Sequence, residues 1–200
     1  MPDVFTQARR SALSSSLDLF HARPVKPSLT DTLCTRCGLC CDGSLFADVE
    51  LAGRDEAAAL EVMGLEIEED EIDLLLQPCA ALQGKRCGIY AHRPECCRTF
   101  ECRLLQDARR GTVSVARASE VIAEALKQVG LVRKLAARLG QHDARLPLKE
   151  RCAEALAPDA GADAGADAGP ETDRKRAELE TAMAAVERLI RKTFLRSGGC

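Results

Sequence analysis

The chain has 200 residues, 30% of them charged, and a formal net charge of −3. That length suits one domain with appendages, and the bulk charge indicates no special partner. Apolar residues make up 46% but aromatics only 3%, with no Trp, so Ala and Leu dominate, helices are favoured over sheets, and the core is thin enough for a metal staple to help.

Residues 1–30 read as a peripheral segment. Leu13, Leu17 and Phe20 share a helical face, and Arg23-Pro24 and Lys26-Pro27 then break it. Arg9, Arg10 and several serines interrupt this segment, so it lacks the apolar run of a secretory signal. No stretch reaches a membrane span, and Ser197-Gly198-Gly199-Cys200 is not a prenylation box, because the cysteine comes last. The expectation is a cytoplasmic protein with no membrane contact.

Residues 31–110 hold nine of the eleven cysteines. Arg54 to Met63 predicts a short helix, with acids in its first turn and Gly64 just past its end. Ile72 to Leu76 is a short apolar run that reads as a strand or a helical turn. The cysteine-bearing segments carry Pro78, Gly84, Gly88 and Pro94, so they read mostly as loops. Charge is uneven here. Asp42 to Asp73 holds twelve acids and one base, and Lys85 to Arg110 holds seven bases and three acids. The acidic stretch reads as a solvated face, since it lacks the spacing and glycine of a calcium loop.

Residues 111–152 predict a helical cover. Val115, Ala118, Ile122, Ala125, Val129, Val132, Ala136 and Leu139 recur at spacings of three and four. Eight bases against four acids in Thr112 to Arg151 bring no aromatic platform, so nucleic acid is not an expected partner. Residues 153–170 read as a flexible linker, P-D-A-G-A-D-A-G-A-D-A-G-P, with a period of four that does not suit calcium-binding repeats. Residues 171–200 predict an amphipathic helix with Leu179, Met183, Val186, Ile190 and Phe194 on one face. That face packs back on the domain, self-associates or binds a protein partner.

So many neighbouring thiols need a disulfide, a metal or a cluster. A reducing location and an odd cysteine count argue against disulfides. A C-x2-C turn aims two sulfurs at one metal, and C-T-R-C-G-L-C-C repeats that spacing through Cys34, Cys37 and Cys40. Cys41 adjoins Cys40, so one of the pair faces a second metal or bridges two. Cys79, Cys87, Cys97 and Cys102 follow, with Cys96 extra. Four plus four suits two four-coordinate sites, or one site with reserve ligands. Two zinc ions with eight thiolates would carry a formal −4, and Lys85, Arg86, Arg93, Arg98 and Arg103 lie among the cysteines to offset it. His92 reads as a surface or supporting residue and Cys152 as a small buried side chain. Tyr90 and Phe100 read as packing around the site.

These residues resemble a known family. C-T-R-C-G-L-C-C, P-C-A-A-L, K-R-C-G-I-Y-A-H-R-P and C-R-T-F-E-C, spanning Leu33 to Leu104, look like the CxxCxxCC family of zinc- or iron-chelating proteins, also called YkgJ-like. The resemblance implies a small bacterial metal-binding domain. It carries Cys34, Cys37, Cys40, Cys41, Cys79, Cys87, Cys97 and Cys102 as ligand candidates for zinc or iron, an iron–sulfur cluster included, with Cys96 at a variable position. The expected fold is mainly α with little β: an irregular cysteine-rich core covered by helices, plus a tethered C-terminal helix. Three functions follow from it: a metal-chelating module, an iron–sulfur protein in electron transfer or oxidoreductase chemistry, and, from a related cluster in flagellin lysine methylases, methyl transfer. No G-x-G-x-x-G loop supports the last.

Overall fold

The computed structural model describes residues 28–157 and 169–195. The fold is mainly helical with little strand. It begins at helix α1 (Leu29–Cys37), where Ser28 and Asp31 cap each other. The Asp31 amide donates to Ser28 Oγ at 3.0 Å, and Asp31 Oδ2 accepts the Ser28 amide at 3.2 Å. This reciprocal pair satisfies backbone donors that the first turn leaves open. Gly38, at φ 75°, ends the helix in a left-handed conformation that a side chain would disfavour.

Three very short strands follow around a second helix: β1 (Asp48–Glu50), α2 (Arg54–Val62), β2 (Ile67–Glu68) and β3 (Leu74–Leu76). The sheet is antiparallel in the order β1-β3-β2, with Val49 and Ile67 both opposite Leu75. The 72–76 run thus resolves as a strand. Val49, Leu51, Ala57, Leu60, Leu65 and Leu75 form a small apolar core there. A hairpin, β4 (Leu82–Gln83) and β5 (Arg86–Cys87), then leads through a single 3-10 turn at Tyr90–His92 into α3 (Glu95–Thr99) and α4 (Arg103–Arg109).

The larger core belongs to the helices. In α5 (Val115–Arg138) the stripe Ala118, Ile122, Ala125, Val129, Val132, Leu135 and Ala136 is buried. Val115 is 41% exposed, so the stripe begins a turn later than the spacing suggested and includes Leu135. Helix α6 (Leu148–Leu156) and helix α7 (Pro170–Thr193) pack on α5. Leu179, Val186, Ile190 and Phe194 of the C-terminal segment are buried in that same core, so its apolar face is covered within the chain. The Phe194 carbonyl also accepts the Arg103 amide at 2.9 Å, which ties the end of α7 to the start of α4.

Two expectations are corrected. Cys34 and Cys37 lie on α1, and Cys96 and Cys97 on α3, rather than in loops. Helix α6 continues to Leu156, into the stretch read as linker from residue 153, because Cys152 and Ala155 are buried on its inner face. The Leu13–Leu17–Phe20 face, residues 158–168 of the linker tract and Cys200 lie outside the described residues. Among the described residues, no helix is long and apolar enough to cross a membrane.

Cys152 sits 3% exposed in the helical core. Burial pushes its thiol up to about 11, with Arg151 pulling the other way. A raised folded-state value means that the neutral thiol is the form the fold accommodates. Its contribution is complete below pH 9 and is lost as pH rises toward 11. Urea midpoints measured from pH 8 to 11 should therefore fall more steeply in the native chain than in Cys152→Ala. Parallel curves would show that Cys152 does not contribute to the alkaline loss.

Candidate metal centre

Cys34 and Cys37 are three residues apart on α1, so they share a face. After Gly38, Leu39 plunges into the helical core with no exposure and anchors the turn that follows. The amides of Cys41 and Asp42 both donate to the Gly38 carbonyl, at 2.9 and 3.1 Å, which curls Cys40 and Cys41 back under α1. Cys102 returns as the N-cap of α4, its Sγ accepting the Leu105 amide at 3.4 Å. The Cys79 amide donates to the Cys41 carbonyl at 2.9 Å and to Gln77 Oε1 at 3.1 Å. Cys87 closes β5 and Cys97 stands on α3.

The thiols influence one another in two overlapping groups. Burial raises Cys34 to about 11 and Cys37 to about 12, and lifts Cys40 well above its ordinary value. Cys102 adds to the rise at all three, Cys34 adds to it at Cys37 and Cys40, and Cys37 and Cys41 add to it at Cys40. Burial also raises Cys102 itself, against the amides of Leu105 and Leu104, which lower it. Around Cys41 the neighbours change. Burial carries it to about 12, with Cys79 and Cys87 next. Cys97 reaches about 12 through burial and then Cys41, Cys96, Cys79 and Cys87. Cys79 rises through burial, with Cys87 a smaller cause. Cys34, Cys37, Cys40 and Cys102 form one group of neighbours and Cys41, Cys79, Cys87 and Cys97, with Cys96 alongside, a second, and the adjacent Cys40 and Cys41 join the two.

The two sets lean on different cores. Cys34, Cys37 and Cys102 pack against the helical core, and Cys79, Cys96 and Cys97 against the small sheet core. Of the five basic residues read from the sequence, Arg93 acts on both sets, lowering Cys34 and Cys41. Its guanidinium lies 3.8 Å over the Tyr90 ring, and its Nε donates to the Tyr90 carbonyl at 3.2 Å. Arg103 instead pairs with Asp107 at 3.8 Å. Phe100 meets Phe46 edge to face at 5.2 Å, a local apolar pair near the site. Tyr90 is half exposed and His92 is exposed.

Two supporting residues could not be read from the sequence. Gln77, 3% exposed, is the one buried polar side chain among the described residues, and it orients Cys79. Arg133 of α5 clamps the turn after Cys41, donating to the Asp42 carbonyl at 3.1 Å and Ser44 Oγ at 3.2 Å, and pairing with Asp42 Oδ2 at 3.0 Å. The partners of Arg133 are up to 91 residues away in sequence, and the burial of Gln77 follows from packing, so only the fold reveals these roles. Arg133→Ala should lower stability by about 1–2 kcal/mol, a figure reduced for partial exposure. Arg133→Lys should recover less than half, because ammonium lacks the guanidinium fork. An unchanged urea midpoint in Arg133→Ala would show the clamp to be idle.

Residues 33–122 match a family model, CxxCxxCC, described as a putative zinc- or iron-chelating domain. Neither a curated protein nor a solved structure matches the chain. The match runs beyond the signature residues to Ile122, so the matched region includes the first turns of α5 as well as the cysteine segments. Among the described residues, no three His, Cys, Asp or Glu side chains are drawn close enough to hold an ion as they stand. The donor chemistry nonetheless fits a soft or borderline metal: the nine cysteines of the region are all partly buried thiols, the ligand type such metals take.

Proposed function

We propose that the CxxCxxCC domain chelates two metal centres: Cys34, Cys37, Cys40 and Cys102 serve one, and Cys41, Cys79, Cys87 and Cys97 the other. The observation that supports this reading is the packing of the cysteines on two cores, Cys34, Cys37 and Cys102 on the helical one and Cys79 and Cys97 on the small sheet core, with the Cys79 amide bonded to the Cys41 carbonyl. Four sulfurs fill a tetrahedral shell, and a closed shell suits holding a metal better than turning over a substrate. Burial raises Cys34, Cys37, Cys40, Cys41, Cys79, Cys97 and Cys102, so taking up a metal there means releasing their protons. Arg93, set between the two groups, offsets part of the negative charge that thiolates would bring. Cys96 stands beside the second set as a ninth thiol. The site chemistry favours zinc or iron, and the expected compartment is the reducing cytoplasm.

Metal and acid-labile sulfide content, with a visible spectrum, on protein purified without oxygen test this. Colourless protein with zinc and no sulfide makes the domain a chelating or structural module. Iron with matching sulfide would replace that reading with an iron–sulfur protein suited to electron transfer or oxidoreductase chemistry. Metal-free protein whose thiols take up neither ion would overturn both.

A further inference from the structure

A cleft of about 400 Å³ opens between α1, the β4–β5 turn and α5. It lies apart from the thiols: Thr32, Thr35 and Arg36 line it from α1, while Cys34 and Cys37 occupy the rest of that helix's circumference. Its volume falls in the range of small-molecule sites. The floor is apolar, formed in part by the buried Leu33 and Ile122. The charged lining is wholly basic, consisting of Arg36 and Lys85, and no carboxylate lines it.

The fold forces those two cations together. Gly84, at φ 63°, makes the tight turn of the hairpin. The turn presses on the end of α1 so closely that a Cβ at Gly38 would lie 3.3 Å from Lys85 Cα. Lys85 therefore stands beside a helix end two residues past Arg36. Neither cation makes an ion pair or hydrogen bond among the described residues, although other arginines of this chain are paired. The hydroxyl groups nearby do not compete for an anion as donors. Thr32, Thr35 and Ser119 donate to the carbonyls of Ser28, Asp31 and Val115 at 2.9, 2.5 and 2.9 Å. Recognition of a negative group here rests on Arg36 and Lys85, and the apolar floor below them suits a hydrocarbon body.

We propose that this cleft binds a small organic carboxylate, its head held by Arg36 and Lys85 and its short aliphatic body laid on Leu33 and Ile122. A guanidinium fork matches a carboxylate in two parallel bonds, and the ammonium adds a point charge. This inference stands independently of the metal reading.

Calorimetric titration of the full, metal-loaded chain with hexanoate, hexanol and inorganic phosphate tests it. Hexanoate should bind saturably, and the double variant Arg36→Gln/Lys85→Gln should weaken it by at least about tenfold. Both side chains are exposed, so helix content should match the native chain; Arg36→Gln alone, expected to show an intermediate loss, serves if it does not. Hexanol and phosphate should each bind far more weakly than hexanoate. The proposal is overturned by absence of saturable hexanoate binding, by equal binding to the charge-removed chain, by hexanol binding equally well, or by phosphate binding as tightly.

Discussion

Cys40→Ser and Cys41→Ser, one residue apart, are expected to remove different metal ions. Apart from each other, Cys40 has Cys37, Cys102 and Cys34 as neighbouring thiols, and Cys41 has Cys79 and Cys87. A serine at either position leaves three sulfurs and a poor oxygen donor in one set. Changing a residue that merely orients a ligand costs about 10- to 100-fold in metal affinity, and losing a thiolate should cost at least the upper figure. Each single variant should then keep roughly half the native metal content, and the double variant almost none. Cys152→Ala, in the helical core, should keep all of it. Native mass spectrometry resolves these stoichiometries directly. Identical total loss from Cys40→Ser and Cys41→Ser would mean one shared centre and would end the two-site reading.

Chelation without oxygen is expected to unfold the sheet region and spare the helical one. The small core has six buried residues, and its strands are two or three residues long. Strands that short are marginal without further support, and removal of a structural metal forfeits binding free energy of order 10 kcal/mol. The helical core buries eighteen residues across α5, α6, α7 and their neighbours and does not depend on the second set. Amide exchange should therefore accelerate by several orders of magnitude through 48–76 and 82–97, toward unfolded-chain rates, while the buried stripe of α5 stays protected. Uniform loss of protection would show that both cores unfold as one unit. No loss anywhere would show that the metal contributes nothing to order.

The sequence carried the regular helices well, for identifiable reasons. Helix α2 has acids at its start and Gly64 beyond its end, and α5 repeats apolar residues over six turns, so local pattern and burial agree. Helix α1 was hidden. Its nine residues include three threonines and two cysteines, a composition without helical preference, and it is held by the Ser28–Asp31 cap and by Leu33 and Leu39 packing inward. The short run at 72–76 was ambiguous because five residues are too few to show a period, and only the last three form the strand. For the candidate metal centre, the candidate ligands follow from spacing and resemblance, and the expectation of divergent directions for Cys40 and Cys41 follows from their adjacency. Which thiols keep company could not be read. That depends on Cys102 coming back as the cap of α4 and on Cys79 being drawn to the Cys41 carbonyl, contacts that no local pattern encodes.

The bond from the Arg103 amide to the Phe194 carbonyl also bears on how the molecule comes into being. Every thiol of the second set has left the ribosome once residue 97 has emerged. The first set must wait for Cys102, and the residue after Cys102 is tied down only when the segment around 194 has been made. On the two-centre reading, the second group is complete in sequence before the first, and the backbone beside Cys102 gains its tie only after the segment around 194 has been made. Cys40 and its neighbour Cys41 would then be settled at different points in synthesis.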